Sequence, residues 1–256
     1  MRYEERVPDE LFEGDKYLGR PADFTDKIIE RRCKLVEEFN DFIGKDKELL
    51  DIGCGNGASV FMLAPKMKHC LGIDINEKNK EEFEKYKSKT KIDNCDFKLF
   101  DIDKDNLPKQ FDRIISFEVI EHLPNEKSVK FYYDSLKDDG LIAITVPNKW
   151  WIFETHGAKL PLLPWNRVPF FSWLPKFIHE RYSNARIYTK SRITKLLESV
   201  GFEILSTAYI TAPMDVLKEG RFKNFVVGGF FNSDTTSIPF KSTSILVFAR
   251  KKKKSN

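Results

Sequence analysis

The sequence predicts an α/β fold: a mostly parallel sheet with helices on both faces, an antiparallel final strand, and an aromatic-rich insert after the fifth strand. Three observations carry this. Short apolar runs alternate with helical patterns between residues 48 and 147. The stretch "LLDIGCGNGAS" (49–59) ends a strand in an acid, then sets glycines at 53, 55 and 57 directly before a helical pattern. Two last apolar runs, 202–210 and 244–250, follow each other without a clear helix between them, which suits an antiparallel pair at a sheet edge.

Each element has its own signal. Phe24, Ile28, Ile29, Leu35, Val36, Phe39 and Phe42 recur at helical spacing within 22–42, one helix or two short ones, closed by Gly44 and "KDKE". "ELLDIG" (48–53) is a buried strand, and "ASVFMLAPK" (58–66) a helix ending near Pro65. "HCLGIDI" (69–75) is strand, "EKNKEEFEKYKSK" (77–89) a charged surface helix, and "CDFKLFD" (95–101) and "FDRIISFE" (111–118) are strands. A helix over 128–140 stops at Gly140, and a strand over 141–147 stops at Pro147. From Asn148 to Ile187 prolines 161, 164, 169 and 175 alternate with aromatics and the periodicity is lost. It returns in a helix over 189–201, with Thr189 as N-cap and Gly201 as stop, while 211–243 reads as irregular.

Composition narrows the class. A chain of 256 residues suits one domain with embellishments, and 22 Phe supply a core although only 41% of residues are hydrophobic. The net charge of +4 owes five positive charges to "RKKKK" (250–254), so the body is close to neutral. That tail is either a solvated end or a weak attraction for acidic lipid or nucleic acid. Cys33, Cys54, Cys70 and Cys95 show no metal or disulfide spacing, which predicts reduced thiols, a cytoplasmic location and no metal. The charged N-terminus does not read as a signal peptide, and no apolar run has the ~20 residues of a membrane span.

Glycine is costly to order, so three in a turn imply close approach of backbone to ligand. The following helix offers N–H groups to an anion. The spacing is G-x-G-x-G rather than the dinucleotide G-x-G-x-x-G, and Asp51 just before it would repel phosphate and attract an ammonium group. Asp74, ending the next strand, stands where an acid binds ribose hydroxyls. Asp101, ending the third, can accept from an adenine amine, with Ile75 and Ile102 sandwiching the ring. Amino acid, ribose and adenine in succession describe S-adenosylmethionine.

"LLDIGCGNG", "GIDI", "LFDIDKDNLP" and "FDRIISFEVIEHLPN" resemble successive motifs of the class I S-adenosylmethionine-dependent methyltransferases. "FEVIEHLPN" resembles the small-molecule branch that includes ubiquinone-biosynthesis-type O-methyltransferases. The resemblance spans roughly 47–148 and implies a Rossmann-like sheet of seven strands. It implies that Asp51 holds the methionine ammonium, that backbone at Gly53, Cys54 and Gly55 lines the methionine, and that Asp74 meets the ribose. Asp101 and Ile102 would meet the adenine, and Phe117 would offer backbone near the amine with Glu118 beside it. The implied domains are an N-terminal helical segment (1–45), a cofactor-binding core (46–148), an acceptor lid (149–187), a completion of the core (188–250) and a basic tail (251–256).

Methyl transfer needs a base only when the nucleophile holds a proton. His156 in "FETHG" is a candidate base with Glu154 orienting it, against a role in loop structure or acceptor binding. His122 is a candidate acid–base group or a support of the cofactor loop, and His179 reads as a surface or packing residue. Cys54 reads as packing. Residues 157–192 hold seven Lys or Arg, one acid and many aromatics. They read as a lid over a small-molecule acceptor, or as a patch (157–187) docking peripherally on membrane to reach a lipid-linked one. "SFEV" at the end of the fourth strand argues against nucleic acid. The expected activity is O-methylation. Glycan, nitrogen or RNA methylation and non-catalytic cofactor binding are the alternatives.

Overall fold

The computed structural model describes residues 24–158, 168–214, 217 and 220–253, with the backbone of a hairpin pairing Phe12–Glu13 with Lys16–Tyr17. Pro161, Pro164, Trp165, the remainder of the first 20 residues and the last three lie outside the described residues.

Seven strands form the sheet: β1 (Gly44–Ile52), β2 (Met67–Asp74), β3 (Cys95–Leu99), β4 (Phe111–Phe117), β5 (Leu136–Pro147), β6 (Phe202–Thr211) and β7 (Ser242–Lys251). Their spatial order is β3-β2-β1-β4-β5-β7-β6, and Thr235–Thr236 adds a two-residue strand on the β6 edge, making eight. The first five are mutually parallel, and β7 runs antiparallel to both β5 and β6. Strand order reverses at β1, so the crevice where such sheets bind ligands opens beyond its carboxyl end.

Helices α1 (Lys27–Glu38), α2 (Ala58–Leu63) and α3 (Glu77–Thr90) cover one face; α4 (Val129–Ser135) and α6 (Lys190–Ser199) cover the other. Successive strand residues point to opposite faces, so Leu49 packs with Cys33, Val36 and Cys70, while Leu50 packs with Ile114, Tyr132 and Leu197. Burial on both faces is why β1 reads as a continuous apolar run. The caps are local: Asp26 accepts from the Ile28 amide at 3.2 Å, and Thr189 from the Arg192 amide at 3.2 Å.

Three expectations are corrected. The helix expected over 128–140 ends at Ser135: Leu136 is extended, fully buried, and pairs with Phe111 as the start of β5. Gly140 stops no helix. It sits in a register shift of β5, where a side chain would meet the Leu136 side chain and the Lys137 carbonyl. The stretch 211–243 holds α7 (Arg221–Phe230), whose Phe222, Phe225 and Phe230 face outward while Lys223 is buried, so it lacks the inward apolar stripe that marks a helix. Finally, the basic tail begins one residue later than expected. Lys251 is the end of β7, and its ammonium donates to the carbonyls of Tyr133 (2.9 Å) and Leu136 (2.6 Å).

The insert has its own short helix, α5 (Lys176–Tyr182), and bridges Phe153 to Pro169 and Ala158 to Ser183. No helix among the described residues is long and apolar enough to cross a membrane.

Helix α1 is seated on β7 by aromatic stacking: Phe39 and Phe248 lie parallel at 3.9 Å, with Phe42 edge-on to Phe248 at 6.0 Å. Phe248→Ala is expected to cost ~3–5 kcal/mol in chemical denaturation.

Candidate functional site

The chain leaves β1 through a turn that only small residues tolerate. Gly53 (φ 71°) and Gly57 (φ 89°) are left-handed; a side chain on the first would collide with Val119, on the second with Phe83. The Gly53 and Cys54 amides both donate to the Ile73 carbonyl (2.8 and 3.1 Å), and the Gly55 amide donates to Asp74 Oδ2 at 2.9 Å. These three N–H groups are therefore spent within the protein, and the loop offers a ligand its close-set backbone surface. Asp74 Oδ1 accepts from the Asn76 amide (2.9 Å) and Asn79 Nδ2 (3.1 Å), which ties the turn to the start of α3.

Asp51 is buried, and its carboxylate accepts from the Ser59 hydroxyl. Burial pushes its pKa up to about 7; the Ser59 hydrogen bond opposes this and the nearby Asp74 charge adds to it. Asp101 ends the third tip, its Oδ1 accepting from the Asp103 amide at 3.1 Å and its Oδ2 3.0 Å from Lys104 Nζ. All three acids line one cleft of about 470 Å³. Gly53, Cys54, Gly55, Ile75 and Ile102 line it too, as do Phe117 and Glu118 from the end of β4. The Cys54 thiol lies beside Gly72, and burial drives its pKa upward, as expected of a packing residue.

The opposite wall is charged. Glu118 is left-handed (φ 59°), a conformation that costs about 1 kcal/mol or more in a non-glycine residue. Its Oε1 lies 3.0 Å from Arg32 Nη2, which is also 3.0 Å from Ser244 Oγ. His156 Nε2 stands 3.6 Å from Glu118 Oε2 and 3.5 Å from Glu121 Oε1. Glu121 is fully buried, neither carboxylate oxygen has a hydrogen-bond partner, and burial and the Glu118 charge hold its pKa well above the carboxylate range. The His122 ring centre lies 5.4 Å from that of His156. Burial, reinforced by His156, pushes the His122 pKa down to about 3, so it is a neutral imidazole at pH 7. Ligand atoms of Glu121, His122 and His156 all lie within 4.8 Å of one another. Orphaned carboxylate oxygens and a neutral imidazole form a mixed oxygen–nitrogen set able to hold a divalent cation.

His122 and His156 thus reach the cleft. Glu154 stands behind it, buried, with Oε1 accepting from the His156 amide (2.8 Å) and Oε2 from His179 Nε2 (2.7 Å). His179 is no surface residue: it is completely buried. Sequence reasoning also missed Arg32 and Glu121. Arg32 had a signal, a charge on the buried stripe formed by Ile29, Cys33 and Val36.

An open sheet of this order, with acids at three adjacent strand tips around one cleft, defines the class I methyltransferase architecture. Residues 24–207 match the methyltransferase domain family, and the chain belongs to it. It is 30% identical over 172 residues to a ubiquinone biosynthesis O-methyltransferase of Pelagibacter ubique, covering 64% of this chain and 69% of that one. It is 34% identical over 101 residues to (S)-coclaurine N-methyltransferase of Papaver somniferum, covering 38% of this chain and 29% of that one. The crystal structure of a coclaurine N-methyltransferase bound to N-methylheliamine and SAH superposes with a TM-score of 0.57 at 18% identity, over 88% of this chain and 72% of that one. The protein is an S-adenosylmethionine-dependent methyltransferase.

In the ligand-free protein, the Asp51 carboxyl should titrate near pH 7 by carbon-13 NMR, and Ser59→Ala should move it higher. A midpoint near 4 would contradict the burial argument.

Proposed function

We propose that the enzyme methylates an oxygen of a small or lipid-like acceptor, and the observation that carries this is the His156–Glu118–Glu121 group facing the cleft. An alcohol or phenol holds a proton that must leave as the O–C bond forms; a free amine has a lone pair ready. A histidine facing two acids supplies the acceptor for that proton. The methyl group moves in line from sulfonium to oxygen, the S–C bond breaks, S-adenosylhomocysteine leaves, and the proton goes to His156. On the cofactor side, Asp51 takes the ammonium, Asp74 the ribose and Asp101 the adenine amine, in the order of the strand tips.

The relatives support both oxygen and nitrogen acceptors, the oxygen-directed one over the larger share of its own length. The lipid-like form of the acceptor, and peripheral membrane contact through 157–187, are supported by exposed rings on the insert: Phe170, Trp173 and Phe177.

The donor set of Glu121, His122 and His156 favours a second arrangement of the same site. A divalent cation held there would supply Lewis acidity, lowering the pKa of an acceptor hydroxyl. His156 would then be a ligand rather than the base.

Four experiments test these readings. Asp74→Ala should weaken S-adenosylmethionine binding by roughly 1–3 kcal/mol in calorimetry, since it removes a half-buried acceptor from the turn as well as from the ribose. Fractionated host extract incubated with labelled methyl donor should take up label in a lipid or small phenolic fraction. His156→Ala should slow that transfer on the order of 10²–10⁴-fold with cofactor affinity retained. Chelation abolishing transfer, with restoration by added cation, selects the metal-held arrangement; indifference to chelator selects the base.

A further inference from the structure

We propose that His179, far along the chain from the cofactor motifs, is a positioning residue for His156 and acts through Glu154. The proposal rests on the reading of His156 as the acceptor-side group.

The geometry is a three-residue clasp. His179 Nε2 donates to Glu154 Oε2 at 2.7 Å, and both side chains are closed off from solvent. The other carboxylate oxygen accepts from the His156 amide at 2.8 Å and lies 4.0 Å from His156 Nδ1. On its far side the same imidazole presents Nε2 to Glu118 and Glu121. Glu154 is therefore held at one oxygen and holds with the other. A buried carboxylate without a donor is costly. Once the His179 donor is lost, Oε2 is left buried and unpaired, and turning it toward water loosens the hold of Oε1 on the His156 amide.

His179 is itself well anchored. It lies on α5 with its ring against Phe171 at 5.1 Å. Directly after that helix, the Asn184 amide donates to the Gly157 carbonyl at 3.0 Å, and Asn184 Nδ2 to the His156 carbonyl at 3.4 Å. The second half of the insert is thereby folded onto the loop that bears His156. A bond serving stability alone could end anywhere in the core. This one fixes the carboxylate that accepts from the amide of the residue whose ring faces the two acids, as a support behind a working side chain does.

The test uses the cofactor-loaded protein with nitrogen-15-labelled histidine rings; the chain has 4 histidines, so assignment is direct. His179→Phe keeps a planar aromatic ring and removes the donor, whereas His179→Gln keeps a donor. His179→Phe should move the His156 ring signals toward those of a mobile imidazole. It should also reduce methyl transfer to the labelled extract fraction on the order of ten- to a hundredfold, with cofactor affinity within about twofold. His179→Gln should restore both. In a His156→Ala background, His179→Phe should add no further loss. Unchanged His156 signals in the folded variant, or additive losses, overturn the proposal. Should His179→Phe not bind cofactor, Glu154→Gln is read in the same way, with the same two outcomes. If His156→Ala alone leaves transfer unchanged, the acceptor-side reading fails, while the ring spectra still decide the clasp.

Discussion

The hydrogen bond from the Gly55 amide to Asp74 Oδ2 is the constraint on which the cofactor side depends. It joins the turn after β1 to the tip of β2, so two strands that are neighbours by backbone pairing are also locked at the end where the ligand enters. The turn cannot relax away from it. Gly53 is backed by Val119 and Gly57 by Phe83, and any side chain at either position would push the loop off its partner. One consequence is a division of labour among the acids. Asp74 shapes the loop as well as facing the cleft, whereas Asp51 is buried and accepts from the Ser59 hydroxyl. That burial raises the Asp51 pKa above the usual carboxylate range.

The second wall is built on the opposite principle. Two carboxylates stand against one histidine, and Arg32 lies beside the outer acid. Like charges at this spacing and burial cannot all remain ionised. Burial and the Glu118 charge favour the protonated form of the inner acid, Glu121. The left-handed backbone at Glu118 is the strain that aims this wall into the cleft.

Much of this was readable because it is local. The glycine turn and the three strand-tip acids follow from short stretches of sequence, and the parallel order of the sheet from the alternation of apolar runs and helices. What escaped depends on distant partners. Leu136 was read as helical because "SVKFYYDSLKDD" carries helix-compatible residues; its pairing with Phe111 overrides them. Helix α7 was missed because its rings face outward, which reverses the pattern by which amphipathic helices are found. "FIHERY" leaves surface and packing both open for His179, since nothing nearby in sequence announces Glu154 as its partner. Arg32 and Glu121 show the same limit: the meaning of each charge appears only when its partner, Glu118 for the first and His156 for the second, arrives beside it.

The cysteines carry a practical consequence. All four are free and buried, and burial raises their thiol pKa values, that of Cys95 to about 11. A thiolate is the species that alkylating reagents capture, so the folded chain is nearly silent to maleimides near neutral pH. A single cysteine engineered on an outward position of α7 or the insert would take a fluorophore without competition from the native thiols. The surroundings of that segment could then be read from the fluorescence of a single label.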